Sequence, residues 1–493
     1  VTIGAVIGKK MAVLKLKSDF RDKKLLVKLF GRDVYAVGGY VRDLLRRIPS
    51  DDVDILIALH PLESIIRKLT PYGQVDLVGK SFGIIKFTRK GKTYDVALPR
   101  SDAAKGAGAR GHKDIAVAAD PFLPIDKDLE RRDFRCNSIA LRLADGVLID
   151  PFRGRRDIAA KIIRVTSPQA FPQDPLRVMR AARFASVLNY KLDPSIYALA
   201  KDMDLKGLSA ERVTEELFKI LLHSKRPSAG LHELFRLGAL KQLFPELDAL
   251  TLVIQDPVFH PEKDAYGNHT IWHHTRLTVD QAAVIGRQAG LSQEKTLCLD
   301  LAALYHDVGK PATSSWEHKH GRMVLTNIGH DVQSEEVTRR AFDRLKIYSW
   351  NGFDLRKMVL LLIRNHHRAS EVWQNRESVT KKAFNRLAHD MAGEVELLIY
   401  LDAADRAGRR ERLVSGLDRV ARWLLRKIEE MRISKETIRP LLQGRDLIPL
   451  GVEPGPGMGR LLKRLYRMQL DNAFDDKAGG LRAARMLIKD EGR

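Results

Sequence analysis

Apolar and polar positions follow two different rhythms along this chain. In its N-terminal part, Val34-Tyr35-Ala36-Val37, Val53 to Leu59, Val75 to Val78, Gly83 to Thr88 and Lys92 to Leu98 are short apolar-rich runs separated by Gly, Pro, Asp and Ser. Runs of that kind bounded by turn residues predict strands. Between the first two, Val41 to Arg47 has its apolar residues at helical spacing. Further on the rhythm changes to three- and four-residue intervals. Leu176, Met179 and Phe184 share one helical face, and Leu297, Leu301, Leu304 and Val308 share another. The pattern predicts an α+β protein, a small mixed sheet followed by mainly helical segments. A chain of 493 residues exceeds one compact core, so about two to four domains are expected. The boundaries are read at 1–165, 166–250, 251–435 and 436–493.

Chemistry enters between the first two strands. The turn Gly38-Gly39-Tyr40-Val41-Arg42-Asp43 is followed by Asp52 and Asp54 in Ser50-Asp51-Asp52-Val53-Asp54-Ile55-Leu56-Ile57. Residues i and i+2 of a strand share a face, so the two carboxylates are expected to project side by side toward the turn. Glycines there let backbone N–H groups and a helix N-terminus approach a phosphate chain. Paired carboxylates hold hard cations through oxygen, and such cations lower the pKa of an attacking hydroxyl and neutralise a departing pyrophosphate. Taken singly, Asp-x-Asp is ordinary turn chemistry and Gly-Gly an ordinary turn. In this order they resemble the nucleotidyltransferase superfamily that includes polymerase beta. The fuller string is similar to its class II branch, the bacterial tRNA CCA-adding enzymes and the related poly(A) polymerases. That resemblance implies an N-terminal palm in which Asp52 and Asp54 bind a pair of Mg²⁺ ions, with Gly38, Gly39, Arg42 and Asp43 shaping the phosphate pocket. Asp95, between Tyr94 and Val96 on the last of the strands, is a candidate third carboxylate.

Charge supports a polyanionic partner. Lys and Arg number 85 against 62 Asp and Glu, a net +23, and contacts from such residues to phosphates release counterions and supply sequence-independent affinity. Only Cys136 and Cys298 are present, which leaves a disulfide framework or Cys-ligated zinc unsupported and makes a reducing cytoplasm the simple inference. The stretch Val1 to Gly8 lacks a basic flank ahead of it and a small-residue cleavage site, so it is not expected to be a signal peptide. No run has the apolar length a bilayer requires, and no membrane association is expected.

Arg100 to Asp126, rich in Gly, Ala and charge, reads as a mobile loop. In class II enzymes a flexible loop in this interval is associated with the switch to accepting ATP for the terminal addition. Arg131-Arg132-Asp133-Phe134-Arg135-Cys136-Asn137-Ser138 is similar to the family's RRDF motif, with Arg135 where Thr is common and Ser138 where Ala is common. The resemblance implies that Arg132 clamps triphosphate oxygens and that Asp133 and Asn137 hold ribose hydroxyls, Asp133 choosing ribo- over deoxyribonucleotides. Asp150 to Ile158 looks like the connector from palm to neck and is read as a hinge. In Gln173-Asp174-Pro175-Leu176-Arg177, Asp174 fits an N-cap and Pro175 the first helical position. Asp174 and Arg177, three apart, can reach one spot, where an acceptor beside a donor can pair with the Watson–Crick edge of cytosine or adenine. This resembles the class II template motif Glu-Asp-x-x-Arg, with Gln173 in place of Glu. Arg180 and Arg183 on the same helix join the nucleotide-binding set. Ser209 to Leu217 is similar to the neck motif that braces this helix, its expected content an ion pair in which Glu211 and Arg212 act as scaffold.

Beyond about residue 255 a histidine set appears. His274, His306-Asp307 before the helix stop at Gly309 and Pro311, His330 and Asp405 resemble the HD phosphohydrolase pattern, with His366 and His367 as further ligands. Imidazoles and carboxylates together bind a divalent transition metal that activates water against a phosphoester. A basic helix from Arg460 to Gln469 follows in the tail, where Lys463, Arg464 and Arg467 either touch tRNA phosphates or form a solvated charged face. These readings describe a cytoplasmic enzyme that adds CCA from CTP and ATP to the tRNA 3′ end. An A-adding enzyme or a poly(A) polymerase would use the same parts. The alternative of a different class is an HD-type RNA phosphohydrolase whose palm only binds nucleotide. The sequence leaves the oligomeric state open.

Overall fold

The computed structural model describes residues 15–78, 84–104, 115–319, 321–433 and 439–491. They form two compact units, one up to residue 220 together with 229–243, the other comprising 221–228 and the chain from 244 onward. The first is built on a seven-stranded sheet of β1 (Val34–Val37), β2 (Asp54–Ile57), β3 (Gln74–Leu77), β4 (Ile84–Arg89), β5 (Lys92–Ala97), β8 (Ala140–Arg142) and β9 (Leu148–Ile149), in the order β3-β4-β5-β2-β1-β8-β9. The β2–β5 pair is parallel and the others antiparallel. The central strands carry Val34, Ala36, Val37, Ile55, Leu56, Ile57, Tyr94 and Val96, all buried. Leu26 and Phe30 of helix Lys23–Phe30, and Ile65 and Leu69 of helix Leu62–Leu69, are buried in the same unit. Burying such a side chain is worth about 1.5–3 kcal/mol, which is why the apolar runs, not the polar ones between them, became the sheet's centre.

The strand expected over Val53 to Leu59 is shorter. It begins at Asp54, leaving Asp52 in the extended lead-in, where Asp52 is exposed and Val53 buried. The interval read as a loop from Arg100 instead opens with a hairpin, β6 (Arg100–Ala104) paired antiparallel with β7 (Ile115–Ala119), and the charged Gly/Ala stretch Lys105 to Lys113 lies outside the described residues. The segment read as a hinge is a locked cap. Asp150 accepts the Gly154 and Arg155 N–H groups at 2.6 and 3.0 Å.

The second unit is helical apart from the hairpin of Ser315–Lys319 with Arg322–Thr326. Helix Gln293–Tyr305 was expected to be amphipathic, but every residue from Leu297 to Tyr305 is buried. A helix apolar on all sides sits inside a bundle; here its neighbours include Ile271–Gln288, Leu355–Asn365 and Val395–Ala407. The tail packs its own small core of Leu447, Met458, Leu461, Leu465, Phe474 and Leu487. Its basic helix spans Pro456–Leu470, with Lys463, Arg464 and Arg467 exposed. No helix among the described residues is long and apolar enough to cross a membrane.

Candidate active sites

The first site forms where β1 ends and β2 begins. Val37 pairs with Asp54 across the sheet, and the chain then turns through Gly38 at φ +70°. A Cβ at Gly38 would stand 3.1 Å from an Arg132 guanidinium nitrogen and 3.5 Å from an Asp54 carboxylate oxygen, so glycine serves both the turn and the close approach. On the other side of β2, Ile55 is in register with Val96. The residues just before them, Asp54 and Asp95, therefore lie level on adjacent strands. Burial raises the Asp54 pKa to about 6, helped by the charges of Asp52 and Asp95 and opposed by Arg132. Carboxylates crowded in this way disfavour one another's ionisation unless a cation joins them, so the donor set suits a divalent ion.

Asp54 and Asp95 line one cleft of about 710 Å³ with Gly38, Gly39, Arg42, Arg132, Asp133, Asn137, Asp174, Arg177, Arg180, Arg183 and Phe184. Two residues expected there are absent from its lining. Asp52 is exposed, though its charge still acts on Asp54, and Asp43 has its carboxylate taken up by Arg42 and Arg46 at 2.8 and 3.0 Å. Asp43 thus acts on the cleft through Arg42, whose other nitrogen donates to Asn137 Oδ1 at 2.8 Å.

A continuous polar chain follows. Asn137 donates to Asp133 at 3.2 Å, Arg180 donates to the other Asp133 oxygen at 2.8 Å, and Arg183 reaches Glu216 at 2.5 Å with Arg180 also 3.8 Å from it. Burial pushes the Asp133 pKa up, but Arg180, Asn137 and the Phe134 N–H outweigh it and hold it down to about 2. Arg131 and Arg132 share the fully buried Asp128 at 3.0 and 3.1 Å. At the start of helix Leu176–Leu188, Asp174 is extended and Pro175 helical, and Asp174 accepts the Leu176 N–H at 3.3 Å, the expected cap. Its second oxygen pairs with Arg212 at 3.3 Å, the brace anticipated for the neck motif. Arg177 is buried and donates to the Ala170 and Arg131 carbonyls, each at 2.6 Å. It is held by backbone while still lining the cleft beside Asp174.

The second site gathers the histidines. His306, His330 and His366 each give Nδ1–H to a carbonyl, of Ala303, Asn327 and Ile363, which leaves a lone pair on each Nε2. His330 Nε2 lies 3.2 Å from that of His366 and 3.1 Å from that of His367. His306 Nε2 is 3.3 Å from Asp307 and 3.7 Å from Asp405, and His274 Nε2 is 2.9 Å from Asp405. Asp307 also faces His330 at 3.4 Å. Imidazole and carboxylate donor atoms gathered at such distances match the ligand types of a transition-metal site, so this donor set fits a divalent metal. Burial lowers the His306 pKa, but Asp307 and Asp405 together drive it up to about 10, so without a cation its Nε2 keeps a proton that a bound metal must displace.

Residues 34–164 match the family model of the poly A polymerase head domain, 190–251 that of the probable RNA- and SrmB-binding site of polymerase A, and 271–410 that of the HD domain. A multifunctional CCA protein of Dechloromonas aromatica is 34% identical over 348 residues, covering 69% of this chain and 75% of that protein. Another, of Xanthomonas euvesicatoria, is 32% identical over 448 residues, covering 87% and 96%. This chain belongs to the multifunctional CCA protein family. The CCA-adding enzyme of Bacillus stearothermophilus, solved with CTP, matches at a TM-score of 0.58 with 22% identity, over 95% of this chain and 97% of that one. The Thermotoga maritima CCA-adding enzyme, solved with tRNA, matches at 0.51 with 20% identity, over 94% and 95%. These two establish a shared fold, in keeping with the α+β expectation.

As a member of the CCA family the chain is a nucleotidyltransferase carrying an HD domain, and both kinds of domain generally use divalent metals. Sequence reasoning overlooked its buried acids. Asp128, on helix Ile125–Glu130, sits three and four residues before Arg131 and Arg132 just past its end, a spacing that signals pairing, and Glu216 lies among the apolar positions of helix Ala210–His223. In the HD centre the missed residue is Lys310, buried against Asp307 at 2.7 Å and Gln255 at 2.8 Å. Gly309 belongs to the same construction. A Cβ there would meet the His330 carbonyl oxygen and the Ser334 nitrogen at 2.5 Å each. Gly309→Ala should therefore push helix His330–Leu345 away from Asp307, destabilise this unit by about 1–3 kcal/mol and weaken divalent-ion binding, which thermal denaturation with and without added metal would reveal.

Proposed function

We propose that this protein adds cytidine, cytidine and adenosine to the 3′ end of tRNA, taking them from CTP and ATP with release of pyrophosphate, in the cytoplasm. The observation that carries the reading is the single cleft in which Asp54 and Asp95, the Asp133–Asn137 pair, and Asp174 with Arg177 all face one volume of about 710 Å³. That is room for one nucleotide, with its phosphates, sugar and base each meeting a different group. Asp54, with the exposed Asp52 and with Asp95 beside it, would hold Mg²⁺. When bound, the ions lower the pKa of the attacking hydroxyl and neutralise the pyrophosphate. Gly38 and Gly39 admit the phosphates closely, and Arg42 and Arg132 bind their oxygens. Asp133 and Asn137 hold the ribose. Cytosine and adenine both offer an amino donor beside a ring-nitrogen acceptor, whereas uracil and guanine offer the reverse. One acceptor, Asp174, beside one donor, Arg177, therefore suits both accepted bases and leaves the other two with facing like groups. The relatives' name supports the full CCA reaction over A-only or poly(A) addition.

In this reading the palm is 1–165, the neck 166–250, the HD domain 251–435 and the tail 436–493, where Lys463, Arg464 and Arg467 contact tRNA phosphates. The test is extension of three tRNA transcripts, ending before the first C, after one C and after both, with CTP, ATP or both in Mg²⁺. Completion of CCA on all three is expected. Addition of a single A to the CC-ended transcript alone would make the enzyme an A-adder, and long A tracts a poly(A) polymerase.

The convergence of imidazole Nε2 atoms favours a second activity, transition-metal-dependent hydrolysis of phosphoesters at His274, His306, Asp307, His330 and Asp405, with His366 and His367 beside them. Asp307→Ala should remove metal-dependent phosphatase activity while leaving incorporation intact.

A further inference from the structure

His274 differs from the other histidines of the HD centre in how its ring is held. It is fully buried, and both its nitrogens face carboxylates: Nε2 is hydrogen-bonded to Asp405 at 2.9 Å, and Nδ1 lies 2.8 Å from Glu262 Oε1, in contact but not aligned as a hydrogen bond. Glu262 stands upstream of the matched HD segment 271–410, and its side chain is 1% exposed. The same Oε1 receives His260 Nδ1 at 3.1 Å, and the His260 ring meets that of His274 edge to face with centroids 4.6 Å apart.

A neutral imidazole carries one N–H, and which nitrogen bears it decides whether Nε2 can be a ligand. For His306, His330 and His366 a main-chain carbonyl makes that choice. For His274 the group opposite Nδ1 is the Glu262 carboxylate. We propose that Glu262 is a positioning residue of the HD centre: it takes the Nδ1–H of His274, so that Nε2 presents its lone pair to a divalent cation shared with His306 and Asp405. His260, bound to the same oxygen, keeps that carboxylate in place. A carboxylate in this role also makes the ligand nitrogen more basic than a carbonyl would. The inference rests on reading the HD centre as a divalent-metal site.

Glu262→Gln separates this role from space filling. The amide has the shape of the carboxylate, yet its NH₂ can donate to Nδ1, leaving the proton on Nε2 to be given to Asp405. Both His274 nitrogens then have partners and the ligand lone pair is lost, just as an Asp-to-Asn change behind a catalytic histidine selects the wrong tautomer. In the full chain stripped with chelator, titration with Co²⁺ should show affinity weakened roughly 10- to 100-fold in the variant, with the thermal transition before metal addition unchanged and CTP incorporation by the palm as in wild type. Affinity equal to wild type would overturn the proposal. Were the variant not to fold, the wild-type chain labelled with ¹⁵N-histidine and loaded with Zn²⁺ gives an independent answer: Nδ1–H with metal on Nε2 of His274 is expected, and metal on Nδ1 would overturn the assignment. A wild-type chain that binds no divalent ion beyond those of the palm would instead overturn the metal-site reading itself.

Discussion

Asp54→Asn should reduce nucleotide incorporation by about three orders of magnitude or more, a loss of roughly 4 kcal/mol of transition-state stabilisation, and should at the same time make the chelator-treated protein more stable at neutral pH. Both effects come from one cause. Burial and the neighbouring Asp52 and Asp95 charges raise the Asp54 pKa to about 6 from 3.8, so the fold disfavours the carboxylate that the proposed metal binding requires. A carboxyl whose folded pKa is raised holds its proton more tightly in the native state. Stability is therefore lost as pH climbs from about 4 to about 6, and the penalty stays constant above that window. For a group lining an open cleft the shift corresponds to about 1–3 kcal/mol. Thermal denaturation in EDTA should find the variant ahead of wild type at pH 8 and level with it near pH 4. Added Mg²⁺ should stabilise wild type selectively, closing the gap at pH 8. Full incorporation by the variant would remove Asp54 from catalysis, and an unchanged melting profile would mean that the carboxylate crowding carries no energy.

Asp133→Ala should cost about 2–4 kcal/mol of stability and relax sugar selection. Asp133 is the acceptor that joins Asn137 to Arg180, and its pKa is held down to about 2 because those partners outweigh burial. A depressed acid contributes stability that is complete above its unfolded value near 4 and is lost as pH falls through about 2. The shift is worth about 2 kcal/mol, and removing the carboxylate also leaves the Arg180 guanidinium with only the longer 3.8 Å carboxylate contact to Glu216. The difference in melting should therefore be constant between pH 5 and pH 8. In the same variant the ratio of kcat/KM for CTP over dCTP should fall by about 10- to 100-fold. A ratio equal to wild type would make Asp133 a holder of arginines with no part in reading the sugar.

The predictions locate what the linear chain could and could not reveal. The apolar runs announced β1, β4 and β5 closely, because residues that bury between two layers must be apolar wherever they fall in the fold. The Gly38-Gly39 turn and Asp54 were legible for a related reason, since their chemistry is carried by adjacent residues. Asp95 was harder to place, because its relation to Asp54 depends on the register of two parallel strands far apart in sequence. Helix Gln293–Tyr305 looked one-faced only because small and polar residues that are buried, such as Ala302, Ala303 and Asp300, cannot be told from exposed ones by spacing.

By itself, the sequence determined the α+β order of elements, the Gly38-Gly39 turn before the Asp54 strand, the Asp174 cap of helix Leu176–Leu188, and the histidine inventory, since each is written in neighbouring residues. Only the tertiary structure decided that Asp43 serves Arg42 and does not line the cleft, that Arg177 is tied to two carbonyls, that Asp128 and Glu216 hold the arginines around the cleft, and that Glu262 stands behind His274. Those roles depend on which buried charge meets which partner across long separations. Composition constrains that pairing weakly, while desolvation in the folded interior makes it obligatory.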